Sequence, residues 1–301
     1  MFRDKGIRWT RNAGAVLMLC ATMLRAQDAK APDVPAVELV RQAVANEVAA
    51  SQSPVKHLFR SRKQTPKGSQ TRLYVETTDA MAGRLIAVDD QPVTPQQQQA
   101  ETNHLAWLAG NPEQLRKKHA HEKEDADRTM RIVRALPEAF LYEYAGTQQS
   151  EPGLGKPEDQ LLRLNFKPNP NYSPPSRVEQ VLEGMQGYLL IDPAVRRLAR
   201  IDGTLYRDVS FGWGMIGHLD RGGHFVVQQA DVGDGSWEIT AMSLSITGKI
   251  LLFKRISMVS DETFSDFRRM PEDISFARGI ELLSGESQKA KHDVDAKAAP
   301  R

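Results

Sequence analysis

Short turn signals divide the second half of the sequence into six runs that favour β-strands. Apolar and β-branched runs separated by two or three residues rich in glycine and aspartate are typical of antiparallel hairpins. Strands are predicted at Val178–Ile191, Arg197–Ile201, Leu205–Phe211, Phe225–Ala230, Trp237–Ile246 and Lys249–Val259. Turns are predicted at Asp192-Pro193, Asp202-Gly203, Arg221-Gly222-Gly223, Asp234-Gly235 and Thr247-Gly248. This half of the chain is therefore expected to form an antiparallel meander.

The first half begins with a predicted amphipathic helix, followed by a smaller meander. Asp33 and Pro35 favour a helix start, and four valines spaced three or four residues apart form an apolar stripe that must dock on another element. These valines are Val37, Val40, Val44 and Val48. Strands are predicted at Val55–Lys63, Thr71–Thr78 and Arg84–Val88, with turns at Pro66-Lys67-Gly68 and Ala82-Gly83.

Two helices are predicted to interrupt the strands over residues 94–136. Thr94-Pro95 combines a capping hydroxyl with proline at the first helical position, and Gly110-Asn111-Pro112 separates the two helices. The run Arg116–Arg128 is almost wholly charged, which indicates a solvated face. Strands resume with AFLYEYAG from Ala139 and with QLLRLNF, and a proline-rich link follows over residues 166–177. Residues 284–301 are small and charged and are predicted to be disordered.

Apolar residues occupy both faces of several predicted strands, for example in Met185–Ile191 and Lys249–Lys254. We therefore expect an α+β fold in which helices cover one face of an antiparallel sheet. The other face is expected to be shielded from water as well. Helices, a ligand or both could fill that second side. The aromatic residues that are candidates for lining a ligand cavity are Trp107, Tyr188, Phe211, Trp213, Phe225, Trp237 and Phe253, although each also suits an ordinary core.

The spacing Gly212-x-Gly214-x-x-Gly217 matches the glycine pattern of a dinucleotide-binding loop. Such a loop needs a strand before it and a helix directly after it, so that the helix N-terminus faces the pyrophosphate. A strand-like run at Phe225, and no amphipathic helix, follows this pattern. We therefore predict a structural role, in which the glycines let a curved strand bend and Trp213 turns inward. Gly222 and Gly223 are assigned to the turn that brings the chain back.

The first 26 residues are predicted to be a secretory signal peptide. Four basic residues precede the apolar run Ala13–Leu24, and Ala26 marks the predicted cleavage site. The run is shorter than the roughly 20 residues of a membrane span, which favours cleavage over the alternative of a retained anchor. Lipidation at Cys20 is a further alternative, disfavoured by the bulky Leu19 before it.

Removal of this leader takes away five basic residues and one aspartate, so the formal net charge falls from +2 to −2. Without a surplus of Lys and Arg, the remaining chain lacks the electrostatic footprint of a nucleic-acid-binding protein. Cys20 is the one cysteine of the sequence, so the mature chain is expected to form no disulfide. We expect an exported protein, periplasmic or extracellular, with no nucleic-acid partner and no transmembrane segment after signal cleavage.

The histidines suggest two possible metal sites, and the sequence favours neither. His119 and His121 lie two residues apart in a predicted helix and so point away from each other, whereas His218 and His224 flank the glycine-rich turn. The sequence contains no nucleophile elbow, phosphate-binding loop or zinc-protease motif. We therefore predict no metal, no cofactor and no catalytic residue, with an exported hydrolase kept as an alternative.

The order of the predicted elements resembles the LolA-like superfamily, which includes the outer-membrane lipoprotein carrier and receptor and the RseB-type periplasmic sensor. The resemblance covers about residues 34–260 and consists of an N-terminal helix, a meander, an inserted helical pair and a second meander. Three runs are also similar to an uncharacterised exported bacterial family, namely Leu136–Phe140, Asp208–Gly214 and Gly248–Lys254.

This resemblance implies one domain over residues 27–283, built as a strongly curved antiparallel half-barrel that helices close over an apolar cavity. In the superfamily that cavity receives acyl chains. The implied function is a non-catalytic carrier or sensor that binds a lipid or lipoprotein acyl chain. A cell-envelope protein-interaction module with a filled core is the alternative, and its partner would be another envelope protein.

Overall fold

Thirteen antiparallel strands form one sheet in the computed structural model, which describes residues 34–211, 217–250 and 254–286. The strands are β1 (Lys56–Thr65), β2 (Gly68–Val75), β3 (Ala82–Val88), β4 (Gln91–Pro92), β5 (Phe140–Gln149), β6 (Gln160–Pro168), β7 (Met185–Asp192), β8 (Arg197–Leu205), β9 (Val209–Phe211), β10 (Gly217–Leu219), β11 (His224–Asp231), β12 (Trp237–Ile250) and β13 (Lys254–Met270). The helices are α1 (Ala36–Ala50), α2 (Pro95–Gly110), α3 (Pro112–Ala139), α4 (Arg177–Gln180) and α5 (residues 276–286). The expected combination of an antiparallel sheet with helices is confirmed.

The last strand, β13, joins the two halves of the chain. Its first part pairs with β12, and its second part pairs with β1. The strand order is β4-β3-β2-β1-β13-β12-β11-β8-β7-β6-β5, and β10 lies beside the end of β12 with β9 as its other neighbour. In the described part of the chain β4 and β5, which end this order, do not pair with each other, so the sheet is not closed. The two meanders predicted from the sequence are therefore parts of one sheet.

The main core lies on the face of β5 to β8 and β11 against which α1 and α3 pack, and we call this face of the sheet the helix-covered face. In α1 the stripe predicted from the valines docks here: Val40 and Val44 are buried, and Val48 packs at the edge of the core. The other large buried side chains of this core are Leu39, Leu136, Phe140, Leu164, Phe166, Leu182, Met185, Leu189, Ile191, Leu198 and Leu205. Burial of this many side chains fixes α1 and the end of α3 on the sheet.

A second core lies at the other end of the strand order, where α2 and α5 pack against β1 to β3. Its buried side chains are Leu58, Leu73, Val75, Leu105, Leu108, Ile274, Phe276 and Leu283. The charged run Arg116–Arg128 of α3 is mostly exposed, as the sequence predicted, and forms ion pairs along its own helix.

α2 starts at Thr94-Pro95, as the sequence predicted, and the structure shows a capping box there. The Thr94 hydroxyl accepts the backbone N–H of Gln97, and the Gln97 side chain accepts the backbone N–H of Thr94 at 2.8 Å. Two N–H groups that the helix itself cannot pair are thereby satisfied.

Thr94→Ala is expected to lower the free energy of unfolding by about 1 kcal/mol, because it removes one of these capping contacts. Gln96→Ala is the matched control, since this side chain is exposed in the same turn, and we expect a change within about 0.5 kcal/mol. Urea denaturation of the three proteins measures both effects. Equal losses in the two variants would show that the cap contributes nothing.

Three predicted turns were wrong, because Ala82-Gly83, Asp202-Gly203 and Thr247-Gly248 lie inside β3, β8 and β12. The glycines at these positions allow close contacts between neighbouring strands and do not reverse the direction of the chain. A Cβ on Gly83 would lie 2.4 Å from the Tyr74 ring, and one on Gly248 would lie 2.3 Å from the carbonyl oxygen of His218. A bare backbone at these positions lets a bulky group or a neighbouring strand come near.

Several predicted boundaries also differ from the structure. The first part of the predicted strand Val178–Ile191 is α4 and a 3₁₀ turn, Val181–Gly184, because the Ser176 hydroxyl accepts the N–H of Val178 and starts a helix. The proline-rich link begins at residue 169 because β6 reaches Pro168. Residues 284–286 belong to α5 and were wrongly predicted to be disordered, and residues 287–301 lie outside the described chain.

Candidate functional site

A cavity lies on the helix-covered face, between α1, α3 and the strands β8, β11 and β12. Its volume is about 320 Å³, at the lower end of the range of roughly 300–1,000 Å³ that small-molecule pockets have. Most of its lining is apolar and comes from every element around it: Val133 and Leu136 of α3, Leu198 and Ile201 of β8, Phe225 and Val227 of β11, and Ile239 and Met242 of β12. The cavity therefore suits an apolar ligand.

A second hollow of about 200 Å³ continues the cavity along β11. Gln229, Val227 and Phe225 line the main cavity, and Phe225 and Gly223 line the second hollow. At about 3.3 Å per residue, this path along the strand is roughly 20 Å long. The two hollows share Ile132, Leu182, Met185 and Phe225 as lining residues.

The Gln229 end of the cavity is polar and contains a buried ion pair. Nε and Nη2 of Arg197 donate to the Glu47 carboxylate at 2.8 and 3.0 Å, and the backbone N–H of Leu198 donates to the same carboxylate at 3.0 Å. Gln229 donates a fourth bond at 3.3 Å. The Arg197 guanidinium also lies 5.6 Å from the centre of the Trp237 ring. Glu47 is thereby saturated, and Arg197 is held in place on two sides.

A cluster of titratable groups adjoins this polar end, where β13 separates from β12 beyond Thr263. His57 of β1 is 1% exposed, and its Nε2 donates to Asp234 at 2.9 Å. Its Nδ1 lies 3.3 Å from a Glu238 oxygen and 3.8 Å from a Glu76 oxygen, but neither contact has hydrogen-bond geometry. Because Glu238 also lines the cavity, this cluster is in contact with the ligand space.

The cluster shifts the pKa values of two carboxyl groups in opposite directions. Burial raises the pKa of Glu238 to about 7, and the negative charge of Glu76 adds to the rise. Burial alone would raise the pKa of Asp234 as well, but hydrogen bonds from His57 and Ser236 outweigh it and lower that pKa. Glu238 is therefore a group of the cavity wall whose charge changes near neutral pH.

Glu238→Gln is expected to reduce the pH dependence of stability. In the folded protein the pKa of Glu238 is about 7, compared with about 4.5 in an ordinary glutamate, so the folded state retains this proton longer than the unfolded chain. The free energy of unfolding of the wild type therefore falls as pH rises from about 4.5 to about 7. Glutamine has no such proton, so the variant is expected to be the more stable protein at pH 8, with a gap that narrows toward pH 5.

Urea unfolding at several pH values between 5 and 8 measures this gap. Glu143→Gln on the exposed side of β5 is the control and is expected to follow the wild type throughout. A gap between wild type and Glu238→Gln that does not change with pH would contradict the assignment of the raised pKa to Glu238.

Phe225 and Trp237, which were proposed from the sequence as cavity residues, line the cavity. Phe225 lies on β11 between the two hollows, and Trp237 begins β12 at the polar end. Trp213 and Phe253 lie outside the described residues.

The other three proposed aromatic residues are not among the residues that line this cavity. Phe211 packs at the edge of the main core. Tyr188 lies on the opposite face of β7, where the guanidinium carbon of Arg163 is 3.6 Å from the centre of its ring. Trp107 is 49% exposed on α2 and stacks on His104. The sequence pattern did not indicate which face each of these side chains would take.

The glycines that stand out in the sequence have backbone roles where they are described. Gly217 has φ +150° and begins β10, and Gly222 has φ +88° in the turn before β11. A Cβ on Gly223 would lie 3.0 Å from the Leu205 side chain. Gly212 and Gly214 lie outside the described residues. Because a strand follows Gly217, the helix that a dinucleotide loop requires is missing at that position.

Three of the four histidines considered as metal ligands pair with three different aspartates. His121 faces Asp125 on the exposed side of α3, His218 pairs with Asp220, and His224 pairs with Asp202. Within the described ranges no group of three or more acidic, histidine or cysteine side chains is arranged to hold a metal ion.

The polar residues of the site, Glu47, Arg197, His57 and Glu238, were not predicted from the sequence. Glu47 carried a usable signal, because it lies in the apolar stripe of α1 between Val44 and Val48, where a charge needs a buried partner. No comparable signal marks His57, because its partner Asp234 lies 177 residues away in the chain.

Comparison with known proteins places few constraints on the chain. No protein-family model matches it, and no curated protein matches it. Among solved structures, a DUF1329 family protein from Desulfovibrio piger is similar at 9% sequence identity with a TM-score of 0.26, over 78% of this chain and 93% of that one. In the part of the chain that the structure describes, no helix has both the length and the apolar character needed to cross a membrane.

Proposed function

We propose that this protein is an exported, non-catalytic carrier or sensor that holds the acyl chain of a lipid or lipoprotein in the cavity of a curved, LolA-like half-barrel. The observation that carries the proposal is the mainly apolar cavity between α1, α3 and the sheet, with its continuation along β11. An envelope protein that delivers or receives the ligand is part of the proposal, as is periplasmic or extracellular localisation after cleavage of the leader.

The driving force for such binding needs no polar motif. Each buried methylene contributes about 0.8 kcal/mol, so a chain of about ten carbons gains several kcal/mol even after the cost of association. The side chains that line the middle of the cavity, Ile201, Val227 and Met242, offer only apolar contacts. The lack of a catalytic motif in the sequence is in keeping with a binding role.

A fluorescence titration with decanol, a neutral ten-carbon probe, tests the proposal. Trp213 is replaced by phenylalanine in all proteins of this titration, so that Trp107 and Trp237 are the tryptophans left after removal of the leader. Trp237 lines the cavity, whereas Trp107 is exposed on α2, so these two tryptophans are expected to respond differently. The decanol-dependent change in emission is expected to persist in Trp107→Phe and to be lost in Trp237→Phe. If the wild type shows no saturable change, and calorimetry detects no heat of binding, the carrier proposal is wrong.

A further inference from the structure

We propose that the cavity takes amphiphiles whose polar end is uncharged or cationic and discriminates against anionic ones, with Glu238 as the residue that contacts the head. This inference rests on the proposed function, because it specifies the class of ligand for the same cavity. It is carried by the arrangement of charge at the Gln229 end of the main cavity.

The cavity imposes an orientation on an amphiphile. Its charged lining residues, Glu47, Arg197 and Glu238, gather with Gln229 at one end, and the path along β11 leads from them past Val227 to apolar surroundings. The second hollow beyond Phe225 is lined mainly by aliphatic side chains, including Val181, Leu205, Leu244 and Ile246. A tail placed there leaves the head among the polar residues, which can hydrogen-bond to it.

The positive charge at this end is already neutralised. Arg197 is the one basic residue among the described residues that line the main cavity, and two of its nitrogens are engaged by Glu47. Rotating the guanidinium toward an anionic head would leave the buried Glu47 carboxylate without its counter-ion. Arg197 is therefore a fixed part of the wall and not a receptor for a carboxylate or phosphate.

Glu238 is the acidic group left facing the ligand space, and its surroundings are also acidic. Facing it are His57 from β1, Glu76 at the end of β2, Asp234 from the turn before β12 and Arg197 from β8. Together with Glu47, these residues comprise four carboxyl groups, one arginine and one histidine. An anionic head adds like charge to this cluster, a cationic head reduces it, and a hydroxyl head hydrogen-bonds to Glu238 in either protonation state.

Three ten-carbon probes with the same tail separate these cases: decylamine, decanol and decanoate. Calorimetric titration at pH 7.5 is expected to show decanoate as the weakest ligand, by a factor on the order of ten relative to decylamine, which is the effect of one charge interaction at a partly exposed site. Glu238→Gln is expected to remove most of this difference by weakening decylamine and strengthening decanoate.

Glu262→Gln is the matched control, because Glu262 lies in the same sheet on β13, pairs with Lys63 and does not line the cavity. It is expected to keep the wild-type order of affinities. A pH series on the wild type gives an independent measurement. The ratio of decylamine to decanol affinity is expected to rise from pH 5.5 to pH 8, because Glu238 ionises in this range while the amine stays charged.

The outcomes separate the two proposals. If none of the three probes binds, the proposed function fails. If all three bind equally, or if decanoate binds most tightly, the carrier proposal stands and the charge selection is overturned. The role of Glu238 is likewise overturned if Glu238→Gln keeps the wild-type order and the wild-type ratio of decylamine to decanol does not change with pH.

Discussion

Arg197→Met is expected to lower the free energy of unfolding by about 3–5 kcal/mol, the usual cost of removing one partner from a buried ion pair. The side chains of Arg197 and Glu47 are only 14% and 9% exposed, and Glu47 receives two of its four hydrogen bonds from the guanidinium. Without Arg197 the carboxylate remains buried on α1 with no counter-ion. The loss is expected to loosen α1 from β8, and with it one wall of the cavity.

A double variant separates the charge effect from lost packing. Glu47→Leu combined with Arg197→Met is expected to recover most of the stability, because a well-packed apolar pair often replaces a buried ion pair at little cost. Arg41→Met removes an exposed arginine that pairs with Glu38 on the same helix, and little change is expected. Urea unfolding measures all three. A double variant as unstable as Arg197→Met would contradict an electrostatic cause.

Val227→Trp is expected to block ligand binding while the fold is retained. Val227 lines the middle of the path along β11, so a tryptophan at this position fills space that the acyl chain needs. Excluding only three methylenes, at about 0.8 kcal/mol each, weakens binding by about fiftyfold. Decanol titration of the variant measures the loss, and circular dichroism with thermal unfolding establishes that the fold is intact.

Val226→Trp is the control for this substitution. Val226 is the neighbouring residue of the same strand, and its side chain points to the opposite face of the sheet. The two variants add the same bulk to β11 and differ in which face receives it. Equal binding by Val227→Trp and Val226→Trp would mean that the ligand does not occupy this cavity.

Local signals predicted α1, α2 and α3 well, whereas α4 and α5 were missed and the strand ends were less well predicted. The start of α2 was predictable because capping depends on residues within one turn, here Thr94 and Gln97. The docking face of α1 was predictable because Val40 and Val44 follow helical spacing. The pairing of β1 with β13 was not predictable, because these strands are about 200 residues apart and no local pattern encodes their register.

The full length of β13 was not predicted because an irregularity interrupts its sequence pattern. The strand predicted from the sequence ends at Val259, but β13 continues to Met270. Phe264 and Phe267 both contact Phe59, although a spacing of three is wrong for one face of a regular strand. A bulge at Asp266, where φ is +58°, shifts the register and returns Phe267 to the same side. The alternation that would have predicted the strand is therefore interrupted.

The apolar character of the cavity was predictable from the sequence, but the residues of its polar end were not. Apolar residues on both faces of the strands indicated that the second face of the sheet is also covered by something other than water. Phe225 and Trp237 were among the residues proposed to line a ligand cavity. The polar end was not predictable, since it depends on β1, β8, β12 and α1 converging where β13 leaves β12. Three-dimensional convergence of this kind has no sequence spacing that a pattern can detect.

The central claim, that the cavity holds a lipid, is tested most directly by what the protein carries when it is purified without detergent. Organic extraction of the mature wild type, followed by mass spectrometry, is expected to release an amphiphile at close to one per chain. Val227→Trp prepared in parallel is expected to release little, and Val226→Trp is expected to match the wild type. Equal amounts of lipid from all three proteins, or no lipid from the wild type together with no binding of decanol, would contradict the claim.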